Sequence, residues 1–302
     1  MSNKDILKIF CEVDDFCQNH ASLILEGKAS QMLCLPQKRL KTWKCRMVLS
    51  EIMTIMILFH WYRHRTFKDY YIQQVQEHWK AEFPHALSYN RFVEMIPSAI
   101  FALFAFSYSC HGKVTGISYI DSMDLPVCDN LRIHSNKVFE GIAKRGKHSC
   151  GWFYGFKLHL IINHKGEILS YTVTPGNIDD RKPVINMTKN LSGKLFGDKG
   201  YISSELTNEL FENGIILITR IKKNMKPRLL ELGDKLLLNK RNLIETVNDQ
   251  LQNLMHIDHT RHRSPYNFIA HLFAGIIAYS YMPRKPHLKN CEENQSRIGL
   301  GN

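Results

Sequence analysis

The chain has 302 residues, 44% of them hydrophobic and 23% charged, enough to bury a sizeable core in one large or two ordinary domains. Forty Lys and Arg against 28 Asp and Glu leave a formal net charge of +12, a balance that suits a polyanionic partner, most commonly nucleic acid. The eight cysteines form no C-x-x-C pair and fit reduced thiols better than a disulfide framework or a zinc ribbon. "MSNKDILKIF" has an acidic residue and no long apolar core, so no signal peptide is expected. The expected location is the cytoplasm, with no membrane partner.

Up to about residue 110 the pattern is helical. "MVLSEIMTIMILFHWY" at 47–62 is interrupted by Glu51 and His60, is too short to span a bilayer, and reads as a buried helix that Ser50 could cap. "WYRHRTFKDYYIQQVQEHWK" interleaves aromatics with Arg63, Arg65 and Lys68; nucleic-acid binding and a helix with aromatics packed inward both produce such a pattern. Residues 88–108 hold two more amphipathic segments with Pro97 near their junction, and "SYNRFVEM" offers a recognition helix or, equally, a core helix with Arg91 exposed.

From about 114 the period changes to two. "VTGISYID" reads as a buried strand ending on Asp121. "GWFYGFKLHLII" and "EILSYTVT" are strands joined by the "NHKG" turn. Asp179 or Asp180 can cap a helix through about 190. "KLFG" is a short strand, "SSELTNELFENG" a helix closed by Gly214, and "IILITRI" a fifth strand. "KLLLNKRNLIETVNDQLQNL" reads as one long helix, and Ser264-Pro265 opens another.

These elements predict an α/β fold: a mixed five-stranded sheet flanked by helices, in ribonuclease H-like order, preceded by an all-α domain. The expected divisions are a helical domain at 1–112 that binds DNA ends, a catalytic domain at 113–288, and a flexible tail at 289–302.

If the first and fourth strands are neighbours, Asp121 and Asp198 face each other at the sheet's rim, where ligands of open sheets bind. Glu245 on the following helix supplies a third acid, sharing a face with Arg241 and Asn248. Each acid has a structural use of its own. Asp121 could cap the turn at "DSMDLP", with Asp124 as a rival; Glu245 could simply pair with Arg241; Asp198 could be a turn residue. Taken together, their placement at two strand ends and one helix points to a single site. Three converging carboxylates repel, which two Mg²⁺ or Mn²⁺ ions would relieve. Such a pair, roughly 3.5–4 Å apart, suits in-line phosphodiester displacement.

The stretches "DSMDLPVC", "HSNKVFEGIAKRGK", "GWFYGFKLHLIIN", "GEILSYTVTPGNIDDRKP", "KLFGDKGYIS", "DKLLLNKRNLIETVNDQLQN" and "HTRHRSPYNF" resemble the DDE transposases of bacterial insertion sequences, most closely the IS982-type group. The resemblance spans about residues 45–288. It implies a ribonuclease H-like core, a metal-bound triad at Asp121, Asp198 and Glu245, and action on the element's own DNA ends. Leu238 and Gln252 stand where the wider class often carries Tyr and Lys.

Several basic residues are candidates for DNA contacts. Lys199, Arg241 and Asn248 lie beside the triad, where holding a phosphate and pairing along a helix face are equally open readings. Lys222, Lys223, Lys226 and Arg228 belong to the stretch 220–241, whose eight basic and two acidic residues carry half the net charge. His256, His259 and His262 recur at a spacing of three with no acid or cysteine trio to complete a metal set; with Arg261 and Arg263 they read as DNA-facing. The expected function is a transposase that binds double-stranded DNA at the element's ends, hydrolyses a phosphodiester and transfers the freed 3′-OH strand, as a homodimer or larger assembly. The alternatives are a ribonuclease H-like nuclease without strand transfer and a non-catalytic DNA-binding derivative.

Overall fold

The computed structural model describes residues 3–20, 46–148, 151–221, 229–258 and 262–288. By contact the chain divides into two compact units. One comprises residues 1–110, 131–142 and 251–281; the other comprises 111–130, 143–250 and 282–302.

The first unit is helical. Its main helices are Asn3–Asn19, Leu49–Trp61, Tyr89–Met95, Ile100–Ser109 and Pro265–Ser280. Two of them have no polar face: every residue from Phe268 to Tyr279 is buried, as is every residue from Ile52 to His60. Helices apolar all round belong inside a core, and these two pack on each other. Gly275 leaves room for Ile257, from the segment before the last helix, since a Cβ at that position would lie 2.4 Å from Ile257 Cγ2. The run Tyr89–Ser109 is long and apolar enough by composition to cross a membrane, yet half of it is buried within the protein. Ser50 does not cap its helix. It lies inside the first turn, and its Oγ donates to Asp14 Oδ1 at 2.6 Å, tying the helix to Asn3–Asn19; Val48 N–H instead donates to Glu51 Oε2 at 2.8 Å.

The second unit is a mixed sheet of six strands: β1 Ile117–Cys128, β2 Lys144–His148, β3 Gly151–Asn163, β4 Ile168–Pro175, β5 Gly193–Gly197 and β6 Ile215–Thr219. β3 is central to its assembly. One edge pairs antiparallel with β1; the other is shared end to end, Gly151–Gly155 pairing with β2 and Phe156–Ile162 with β4. β5 runs parallel to β1, and β6 parallel to β5.

Three sequence expectations are corrected here. The sheet has six strands, not five: "KRGKH" forms β2 although it has no apolar alternation, because the long β3 offers backbone partners. The first strand does not stop at Asp121, since its antiparallel pairing with β3 continues to Cys128. The helix expected after Asp179 shrinks to Val184–Thr188; Asp179 instead folds its carboxylate back onto Arg181 N–H (2.9 Å) and the Arg181 guanidinium.

Helices cover both faces. Val184–Thr188 and Ser204–Glu212 pack Val184, Met187, Leu206 and Leu210 against Ile120, Ile161, Leu195, Ile215 and Leu217. Across the sheet, the expected long helix is two pieces, Leu232–Asn239 and Asn242–Asp249, continued by a π-helical turn at Gln250–Leu254. The break falls at Lys240-Arg241, a point without Gly or Pro. The first piece is clamped to the sheet by Tyr119 Oη donating to Leu237 O (3.1 Å) and by Lys194 Nζ on Asp234 Oδ1 (2.6 Å).

Two consequences are measurable. A Cβ at Gly155 would lie 2.1 Å from Leu125 O, so Gly155→Ala must push β3 off β1 and is expected to lower stability by about 1–3 kcal/mol in urea unfolding. His159 is fully buried, and burial, helped by Lys157, pushes its pKa down to about 4. Its ring is therefore neutral at pH 7, and the 3.9 Å approach of Asp180 is not an ion pair there. Because the folded pKa lies below the unfolded value near 6.5, the unfolded chain takes up the proton first. Stability is full above about pH 6.5 and falls towards pH 4, by about 1.4 kcal/mol per unit of separation. His159→Gln should flatten that part of the stability–pH curve; an unchanged slope would count against this assignment.

Candidate active site

The site arises from side-chain alternation at the place where β1 outruns β5. The parallel pairing of the two strands covers only Ile117–Tyr119 against Lys194–Phe196. Two residues further along β1 stands Asp121, and two beyond Phe196 stands Asp198. Tyr119 and Phe196 stack at 5.4 Å between ring centroids, marking the face on which both aspartates continue. Asp124, three residues from Asp121, is on the opposite face by the same alternation, which removes it as a rival.

Asp198 follows β5 directly and heads a 3₁₀ turn over Lys199–Tyr201. Its Oδ1 accepts Gly200 N–H at 2.7 Å, so one oxygen does serve as a turn cap while the other stays out of that bond. A Cβ at Gly197 would lie 3.1–3.4 Å from Tyr201 and Ile120, so that position is confined to a small residue. Lys199, next in sequence, is exposed.

Glu245 comes from the Asn242–Asp249 helix, whose Leu243, Ile244, Val247 and Asn248 are buried. Arg241 immediately precedes that helix and turns onto the acids. Its Nη2 lies 2.5 Å from Glu245 Oε1 and its Nη1 3.5 Å from Asp121 Oδ1. The second distance is an ion pair without a hydrogen bond, since Arg241 Nη1 is buried and has no hydrogen-bond partner. Asn248 Nδ2 donates to Asp121 Oδ2 at 3.2 Å. Asp121, Arg241, Glu245 and Asn248 thus form one connected cluster.

Electrostatics join Asp198 to it. The Asp121 carboxyl is pushed up to about 6, first by burial; Arg241 and the Ser122 backbone oppose this, while the charges of Asp198 and Glu245 add to it. Asp121 therefore senses the charges of both other acids read from the sequence.

Residues 111–265 match the family described as Transposase DDE domain, 155 of the 302 residues. The chain belongs to that family. No curated protein matches the transposase.

The donors of the transposase site suit a hard divalent cation. All are oxygens, and Asn248 Oδ1 is a buried acceptor with no hydrogen-bond partner beside Asp121. Among the described residues no three His, Cys, Asp or Glu side chains are gathered closely enough to hold a metal ion; Arg241 instead brings positive charge to Asp121 and Glu245.

Of the other sequence candidates, Lys222, Lys223, Lys226, Arg228, Arg261 and His259 lie outside the described residues. His256, His262 and Arg263 line a cleft in the helical unit. The sequence reading missed the Lys194–Asp234 and Tyr119–Leu237 clamps. The residue types gave no hint of them, because they join residues 40 and 118 apart.

The opposing influences on Asp121 make a test of sign. Arg241→Gln should raise its titration midpoint above about 6, and Asp198→Asn should lower it, as read from side-chain carboxyl ¹³C shifts against pH. Shifts of the same sign in both variants would contradict the arrangement.

Proposed function

We propose that this transposase is of the insertion-sequence IS982 type, with a ribonuclease H-like catalytic core. On this reading it binds the terminal inverted repeats of its element, hydrolyses a phosphodiester and joins the freed 3′-OH to target DNA. The observation that supports the reading is the cluster of Asp121, Arg241, Glu245 and Asn248 at the rim where Asp198 follows β5, with the ionisation of the half-buried Asp121 opposed by the charges of Asp198 and Glu245. The sheet order, with β4, β3, β1, β5 and β6 side by side and only β3 antiparallel to its neighbours, supports the core assignment.

Asp121, Asp198 and Glu245 would hold two Mg²⁺ or Mn²⁺ ions, which when bound activate the attacking oxygen and stabilise the leaving one. The chain's own residues do the rest. Asn248 holds the orientation of Asp121, Arg241 fixes Glu245 relative to Asp121, and Lys199, exposed next to Asp198, offers a cation to a flanking phosphate. The Lys and Arg residues at 222–228, with Arg261, track the backbone of double-stranded DNA without reading bases, and Arg263 contacts a DNA phosphate. End recognition is assigned to residues 1–112 and catalysis to 113–288. Paired cutting of two ends calls for a homodimer or larger assembly, working in the cytoplasm on the nucleoid.

Cleavage of DNA carrying the element's ends should require Mg²⁺ or Mn²⁺. Asp121→Ala, Asp198→Ala and Glu245→Ala should each lower it by at least about a hundredfold, or about 2.7 kcal/mol in barrier, while DNA binding persists. An Asp198→Ala protein that cuts like the parent would refute the mechanism. Joining of a pre-cleaved 3′-OH end to a target duplex distinguishes a transposase from a plain nuclease.

A further inference from the structure

The helical unit carries a cleft of about 1000 Å³ that the catalytic reading does not use. It unites the stretch singled out in the sequence for interleaving aromatic and basic residues with the His–Arg stretch read as DNA-facing, about 200 residues further on. Arg65, Phe67 and Lys68 come from the first, Arg263 from the second, and Tyr89 from the helix between them. Phe67 and Tyr89 are half-buried with ring centroids 6.3 Å apart, and both line the cleft. Arg65, Lys68 and Arg263 are exposed at its rim, and none forms an ion pair among the described residues. Asp258 also lines the cleft, leaving the three cations in excess over one acid.

The deeper wall is polar and is bonded within itself. His60 Nδ1 contacts Met255 O at 2.5 Å, and its Nε2 lies 3.1 Å from His271 Nδ1. The His262 ring is 5.2 Å from that of His271. No group of three potential ligands there, or elsewhere among the described residues, is gathered for a metal. The histidines are thus structural wall, and the ligand-facing chemistry is cations around aromatic rings.

That combination selects a ligand. A bare phosphate would use the cations and leave both rings without a role. A duplex is too wide: the volume equals a sphere roughly 12 Å across, no wider than the major groove of B-DNA alone. A single nucleotide offers both a flat π-face and a phosphate, and aromatic rings beside basic residues are how proteins hold unpaired bases.

We propose that this cleft binds an unpaired nucleotide, stacking its base on Tyr89 and Phe67 and setting its phosphate among Arg65, Lys68 and Arg263. The inference rests on the reading that the transposase acts on DNA, and it adds a site for a base that is already unpaired. The nucleotide belongs to a DNA strand or is a free mononucleotide; the chemistry is the same.

The test is anisotropy of a labelled 12-nucleotide single strand and of a blunt duplex, with the full chain in EDTA so that no cleavage intervenes. Tyr89→Ala should weaken single-strand binding about five- to a hundredfold, whereas Tyr89→Phe stays within about twofold of the parent. Lys68→Ala and Arg263→Ala, both at exposed positions, should each weaken it and reduce the slope of log K against log salt by about 0.7. Duplex affinity should not respond to Tyr89→Ala. Competition by dAMP at concentrations comparable to the oligonucleotide would assign the site to free nucleotide; competition only by strands assigns it to DNA. Unchanged single-strand binding in Lys68→Ala and Arg263→Ala, or equal losses for strand and duplex in Tyr89→Ala, overturns the proposal. Either result leaves the acid-dependent cleavage to be judged separately, because Asp198→Ala should bind the single strand like the parent.

Discussion

Keeping a carboxylate at Asp121 largely out of water governs the architecture around it. Burial and two neighbouring acids work against its charge, and only Arg241, a backbone contact at Ser122 and the Asn248 amide work in its favour. Ser122 is next in the chain, whereas Arg241 and Asn248 both arrive on the Asn242–Asp249 helix and its first flanking residue, about 120 residues away in sequence. The break at Lys240-Arg241 places Arg241 at the head of the helix that carries Glu245 and Asn248. Arg241, at the start of the second piece, contacts Glu245 one turn along the helix and Asp121 on the sheet.

The sheet supplies the rigidity this requires. β1 pairs with β3 along nearly its whole length and with β5 only at its start, so Asp121 is held on one side and open on the other. The opposite face carries a dry cluster around Ile120 and Leu195, which fixes which side chains of β1 turn towards the acids. Lys194–Asp234 and Tyr119–Leu237 then bind the helical layer to the same strands that carry the aspartates. Partly buried charge pairs such as Lys194–Asp234 contribute modestly to net stability, but breaking one leaves an unpaired charge; their value here is positional.

Much of this was legible in the sequence because its signals are local. Period-two runs marked β1, β3, β4, β5 and β6, and all-round apolar runs marked the Leu49–Trp61 helix. What failed had no local signal. β2 is polar and exists because β3 extends beyond β4. Ser50 looks like a cap by residue type, but the helix begins one residue earlier and the hydroxyl serves Asp14. The long helix breaks where the sequence has neither Gly nor Pro, so no residue type marked the point.

The sequence by itself determined the candidate acids and the order of elements that carry them, since residue type and hydrophobic period are properties of short stretches. It also determined the basic excess that favours a polyanion. Only the tertiary structure decided that Asp121 rather than Asp124 shares a face with Asp198, that Arg241 stands against the acids, and that Arg65, Lys68, Tyr89 and Arg263 border one cleft. Those outcomes depend on pairing register and packing between residues far apart in the chain, and distance of that kind is set by folding rather than by composition.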